Sequence, residues 1–140
     1  MLGEYAVTRK IEDIARLYLL NEFSHDTYSF ENKQPEDRGF DLWLVDKESG
    51  TKRKAELKAH NGTYQRRSNL FERLIFNAEI ERELFERGDT VIVRVFIGTQ
   101  PYRVFIITNA ILSSGAALEA EARYVLRGQI NYDKSFIELA

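Results

Sequence analysis

The chain has no cysteine. That excludes a disulfide framework, a thiolate metal site and a cysteine nucleophile, and it fits a cytoplasmic protein or one from a thermophile. Histidine is also scarce: His25 and His60 are the only two, too few for a histidine metal box. No apolar run approaches the roughly 18 residues that a membrane span needs, and the N-terminus carries no basic-then-apolar signal pattern. No membrane partner is therefore expected. Internal repeats and low-complexity segments are missing. So is an excess of positive charge, since the formal net charge is −2. Binding to nucleic acid would have to come from a local basic patch rather than from the protein's overall field.

What is present points to one globular domain spanning residues 1–140. Hydrophobic residues make up 44% and charged residues 30%, enough apolar chain for a real core. Residues 4–22 carry Val7, Ile11, Ile14, Ala15, Leu17 and Tyr18 at spacings of three and four, which predicts a helix. A short edge strand is expected around Tyr28 and Phe30, and residues 32–38 read as a loop. Residues 39–46 and 52–59 read as two strands of a hairpin, joined by the polar connection Lys47-Glu48-Ser49-Gly50-Thr51. A long helix is expected from Ser68 or Asn69 to Arg87, with Gly88 closing it. Two β-prone runs, 90–97 and 102–108, should pair antiparallel across Gly98-Thr99-Gln100-Pro101. The tail should add a short helix within 110–122 and strands at 123–132 and 136–139, at the edge of the sheet. The fold class is α/β: a mixed central β-sheet flanked by helices, with core order α-β-β-β-α-β.

The hairpin holds the chemistry. Asp41 lies at the start of its first strand, in Gly39-Phe40-Asp41, and Glu56 and Lys58 lie near the end of its second, in Glu56-Leu57-Lys58. Lys54, Glu56 and Lys58 share one strand face, and Ala55 and Leu57 take the other. If Asp41 stands opposite Glu56 or Lys58, all three charged groups meet. A one-residue slip would turn Asp41 away, and a bulge could correct the slip. Spacing alone equally describes an exposed face of alternating charge that continues Lys52, Arg53 and Lys54. Leu42, Trp43, Leu44 and Val45 make the first strand apolar on both faces and so place it centrally. Charges beside a covered strand need a reason. Two carboxylates can hold a hard cation such as Mg2+, and an adjacent lysine can position a water or stabilise charge.

Gly-Phe-Asp, a hairpin and then Glu-Leu-Lys resembles the PD-(D/E)XK nuclease superfamily, the restriction-endonuclease-like fold that includes Holliday-junction resolvases and Mrr-type enzymes. The resemblance covers about residues 8–108 and leaves 109–140 as a C-terminal extension. Phe40 stands where the superfamily's motif has proline. The resemblance implies a Mg2+-dependent DNA endonuclease, with Mn2+ as a substitute metal. Asp41, Glu56 and the Leu57 carbonyl would bind the metal, and Lys58 would orient the attacking water or stabilise the transition state. Glu12 on the first helix resembles an additional acid that members place near the metal. Its alternative is a solvated helix face beside Asp13. Gln65 or Gln34 resembles a further polar site residue.

Contacts to DNA, or to RNA, would come from Arg38, His60, Arg66 and Arg67, with Tyr64 placed to stack on a base. A solvated loop is the plainer reading of Arg66-Arg67. A junction resolvase would need to be a homodimer. The apolar tail around Tyr124-Val125-Leu126, Ile130 and Phe136-Ile137 offers either an interface or core. The competing reading is a catalytically inactive nuclease-fold module that binds nucleic acid or a protein.

Overall fold

In the computed structural model, residues 4–114, 116–120, 124–127 and 136–139 are described. The first helix, α1, spans Glu4–Asn21. It is followed by β1 (Tyr28–Asn32), β2 (Leu42–Asp46) and β3 (Lys52–His60). A two-residue strand β4 (Ile75–Phe76) precedes α2 (Glu79–Glu86). Strands β5 (Thr90–Phe96) and β6 (Arg103–Ile107) follow, and then β7 (Ala117–Ala120), β8 (Tyr124–Arg127) and β9 (Phe136–Glu138). The main sheet has six strands in the order β1-β2-β3-β5-β6-β9, and a second sheet has the order β4-β8-β7.

The mixed α/β architecture follows from how β3 is connected. It pairs antiparallel with β2 but parallel with β5, and a parallel neighbour requires a crossover. Residues 61–89, with β4 and α2, supply it. β5 is buried at every position because both of its faces are covered. Val91, Val93 and Val95 join one core with Ala15 and Leu19 of α1 and with Leu42, Leu44, Ala55 and Leu57. Ile92 and Phe96 join the other with Leu70, Leu74, Phe76, Phe85, Phe105, Ile107 and Ile111. On α1, Ala15 and Leu19 face the sheet, while Ile14 and Leu17 point outward against their periodic expectation. Among the described residues, no helix is long and apolar enough to cross a membrane.

Two expectations fail. The long helix over residues 69–87 does not form. Its first half is a 3-10 turn at Arg67–Asn69, a left-handed Arg73 (φ 53°) and β4, and only Glu79–Glu86 is α-helical. Tertiary contacts override helical periodicity here. The buried Arg94 side chain donates to the carbonyls of Leu70 and Glu72, which a helix would have kept for its own ladder. Leu70, Leu74 and Phe76 are buried instead in the second core. Gly88 (φ 80°) does close α2, as expected of a residue in left-handed backbone after a helix.

The other failure is β8, which pairs with β4 and β7 instead of lengthening the main sheet. The remainder of that expected strand, residues 128–132 with Ile130, lies outside the described residues. β9 does form the sheet edge, against β6. A 3-10 helix at Asn109–Ser114 stands where a short helix was expected. In the tail, Leu126 is core and Ile137 is exposed.

Candidate active site

The register places the hairpin charges together. Leu42 pairs with Ala55, so Asp41 stands at the end of β2 beside Glu56. The Asp41 N–H donates to the Ala55 carbonyl at 2.8 Å, one step out of the 42–55 register, so the ladder ends in an irregular step. β3 continues beyond this point without β2. Its Leu57 N–H, on the edge that β2 has vacated, donates to Asp41 Oδ2 at 2.7 Å. The Asp41 carboxylate thus replaces the carbonyl that a longer β2 would have offered. Backbone alternation puts the Leu57 carbonyl on the same open edge.

Glu56 and Lys58 project from the face of β3 that α2 covers, and both are largely buried. Lys58 Nζ lies 2.7 Å from Glu81 Oε1 on α2 and 3.8 Å from Glu56 Oε1. From α1, Arg16 Nη2 approaches Asp41 Oδ1 at 3.8 Å while Nη1 is 3.4 Å from Asp13. Glu12 and Asp13 both line the same cleft, and Glu12 is half-buried there whereas Asp13 is exposed. The cleft encloses about 920 Å3 at the end of β3.

Burial dominates the electrostatics. It pushes the Glu56 carboxyl up to about 10, aided by the charge of Asp41, whose carboxyl is close enough to share a hydrogen bond; Lys58 opposes the rise. Burial, and then the charge of Asp41, also raises Glu12. Burial and like charge thus both work against ionising Glu56 and Glu12, and added positive charge in the cleft would favour it.

A divalent cation would supply that charge. The donors are hard oxygens: the Asp41 and Glu56 carboxylates and the Leu57 carbonyl on the open edge. Mg2+ keeps several waters, so few protein ligands suffice. The residues fit such an ion in donor chemistry. No group of three or more acids, histidines or cysteines placed to hold a metal occurs among the described residues, and Glu12 lines the cleft beside the Asp41–Glu56 pair.

The expected DNA contacts divide. His60 lines the cleft. Its Nδ1 accepts the Gly62 N–H at 3.1 Å, and its Nε2 is buried without a hydrogen-bond partner. Burial, and then the nearby Arg94, lowers its pKa. Arg38, Arg66 and Arg67 are exposed but lie outside the cleft lining, as do Gln34 and Gln65. The Tyr64 ring packs against Phe96 and Phe105 beneath the Arg103 guanidinium, so it serves the core and not a base stack.

Sequence reasoning missed the cleft residues Arg9, Arg16, Arg73, Glu81 and Arg94. Arg94 had a signal, as the one charge inside an otherwise apolar strand. Glu81 had none, because α2 also carries Glu79, Glu83 and Glu86. Comparison with protein-family models, curated proteins and solved structures gave no match. The fold and the geometry of this cleft carry the functional reading.

Proposed function

We propose that the protein is a Mg2+-dependent endonuclease that hydrolyses phosphodiester bonds in DNA. The observation carrying this reading is the meeting of Asp41, Glu56 and Lys58 at the open end of β3, where burial and the charge of Asp41 raise the Glu56 carboxyl. The strand order β1-β2-β3-β5, with a parallel β3–β5 pair reached through α2, supports the resemblance to the PD-(D/E)XK superfamily.

In this reading Asp41, Glu56 and the Leu57 carbonyl would hold Mg2+, which would polarise the scissile phosphate and acidify a bound water. The protein's own groups do the rest. Asp41 is oriented by the Leu57 N–H and by Arg16. Lys58, held by Glu81, keeps its ammonium beside Glu56, where it can donate to the attacking water or to the phosphate oxygens. Glu12, whose carboxyl is raised by burial and then by the charge of Asp41, lines the same cleft as a third acid beside the metal pair.

The test is cleavage of plasmid, linear, single-stranded and branched DNA, with RNA alongside, in Mg2+, Mn2+ or EDTA. Wild-type protein should cleave only with metal. Asp41→Ala and Lys58→Ala should each lose at least about 100-fold in rate, the scale for removing one preorganised group. A folded wild-type protein that cleaves no substrate under either metal would overturn the reading in favour of a binding module.

A further inference from the structure

Arg94 is fully buried, at 0% exposure, in the middle of β5. Its Nε donates to the Leu70 carbonyl at 3.1 Å, its Nη1 to the Lys58 carbonyl at 3.4 Å and its Nη2 to the Glu72 carbonyl. All three acceptors are neutral. A guanidinium has five N–H donors, so two remain without an acceptor among the described residues. A buried cation with no carboxylate bound to it is costly to keep.

Arg94 belongs to the lining of the cleft, and so do His60, Asn61 and Arg73. His60 repeats the same deficit. Because Nδ1 accepts from Gly62, the neutral ring carries its proton on Nε2, which makes no short hydrogen bond and has the Glu72 carboxylate as its charged neighbour. Its closest acid is Glu72, whose Oε1 is 3.8 Å away, beyond hydrogen-bond reach. The segment that Arg94 grips by the Leu70 and Glu72 carbonyls continues into Arg73, which has left-handed backbone and an exposed side chain. Donors without acceptors therefore collect on one side of β3, level with Lys58 across the β3–β5 pair. The carboxylate Asp41 lies on the other side, at the end of β2.

We propose that Arg73, Asn61 and His60, backed by the charge of the buried Arg94, form a phosphate-binding subsite at the end of the cleft away from Asp41, which takes a phosphate group of the nucleic-acid strand other than the one being cleaved. This rests on the nuclease reading for its source of phosphate. The chemistry is the same for an internal phosphodiester and a terminal phosphomonoester. Phosphate oxygens are acceptors only, so they match a wall of donors, and charge-assisted bonds of this kind are the strong ones. Arg73, as the exposed member, would close over the group from the cleft mouth.

The test uses metal-free full-length protein in EDTA, so that it does not depend on cleavage. Inorganic phosphate is titrated while the Arg94 Nε–H and His60 Nε2–H signals are followed by NMR, with chloride at matched ionic strength as control. Saturable shifts at both signals are expected with phosphate and not with chloride. Arg73→Met and His60→Gln, both outside the core, should each weaken phosphate binding by about tenfold. Short oligonucleotides with and without a 5′-phosphate then compete with phosphate. Competition by both assigns an internal phosphodiester, and competition by the phosphorylated one alone assigns a terminal group. Shifts no larger than with chloride, unaltered affinity in both variants, or competition by neither oligonucleotide would each overturn the subsite. Phosphate binding with competition but no metal-dependent cleavage would leave the subsite standing and remove the nuclease reading.

Discussion

The two halves of β3 both carry charged residues and meet opposite fates. Lys52, Arg53 and Lys54 are exposed, whereas Glu56 is largely covered and Lys58 is buried. Both stretches carry charged side chains along one strand. The difference lies in what surrounds them. Over the first half β2 is present, and the charged side chains reach solvent or an exposed partner, as in the Lys52–Glu31 pair at 2.6 Å. Over the second half β2 has ended, the parallel β5 runs alongside, and α2 with Phe76 closes the face. Lys58 Nζ sits 5.7 Å from the Phe76 ring centroid. Charge in the first half is surface. In the second half it is desolvated, and desolvation makes the ionisation of Glu56 depend on what else enters the cleft.

Removing Lys58 should break the contrast most severely. Lys58→Met leaves Glu56 and Glu81 facing each other without their shared cation. The expected cost is roughly 3–5 kcal/mol of unfolding free energy, read from urea denaturation of the metal-free protein. Glu81→Gln is milder, because an amide oxygen still accepts from Lys58. About 1–2 kcal/mol should be lost, and Lys58 should turn toward Glu56.

The pH dependence of stability sharpens the comparison further. The Glu56 pKa is raised in the fold, from the ordinary carboxylate value to about 10. The folded state therefore binds more protons than the unfolded state between those limits. Its contribution is complete below the unfolded pKa and is lost as pH rises toward 10. Metal-free wild type should thus lose stability with rising pH across that window, and Glu56→Gln should flatten the slope. The smallest effect belongs to the exposed half. Lys52→Ala should change stability by less than about 1 kcal/mol, because the pair it breaks is solvent-exposed. A loss as large as that of Lys58→Met would abolish the distinction between the two halves.

Much of the frame was readable from pattern. Alternating and continuous apolar runs mark β2, β5 and β6, and the polar Lys47–Thr51 connection marks the hairpin. The charges of Glu56 and Lys58 were readable as a pair, and partial cover was expected from the apolar β2, but the depth of their burial was not. Burial depends on where β2 stops and on α2 folding back over β3, both of which are tertiary. Asp41 was open to two registers, and the irregular step at Ala55 decides between them. The segment 69–76 misled because Leu70, Leu74 and Ile75 have helical spacing while the Arg94 guanidinium draws off the carbonyls of Leu70 and Glu72. Arg94 shows the general limit. One charge in an apolar strand marks a site, but its partners, 22 to 36 residues distant in sequence, cannot be read from it.

The most direct test of the central claim is calorimetric titration of Mg2+ at pH 7 in buffers of different ionisation enthalpy. A cation that settles between Asp41 and Glu56 must displace the proton on Glu56. The account predicts release of roughly one proton per Mg2+ bound by the wild type, and none by Glu56→Gln. Binding without proton release, or no Mg2+ binding by the folded protein, would contradict it.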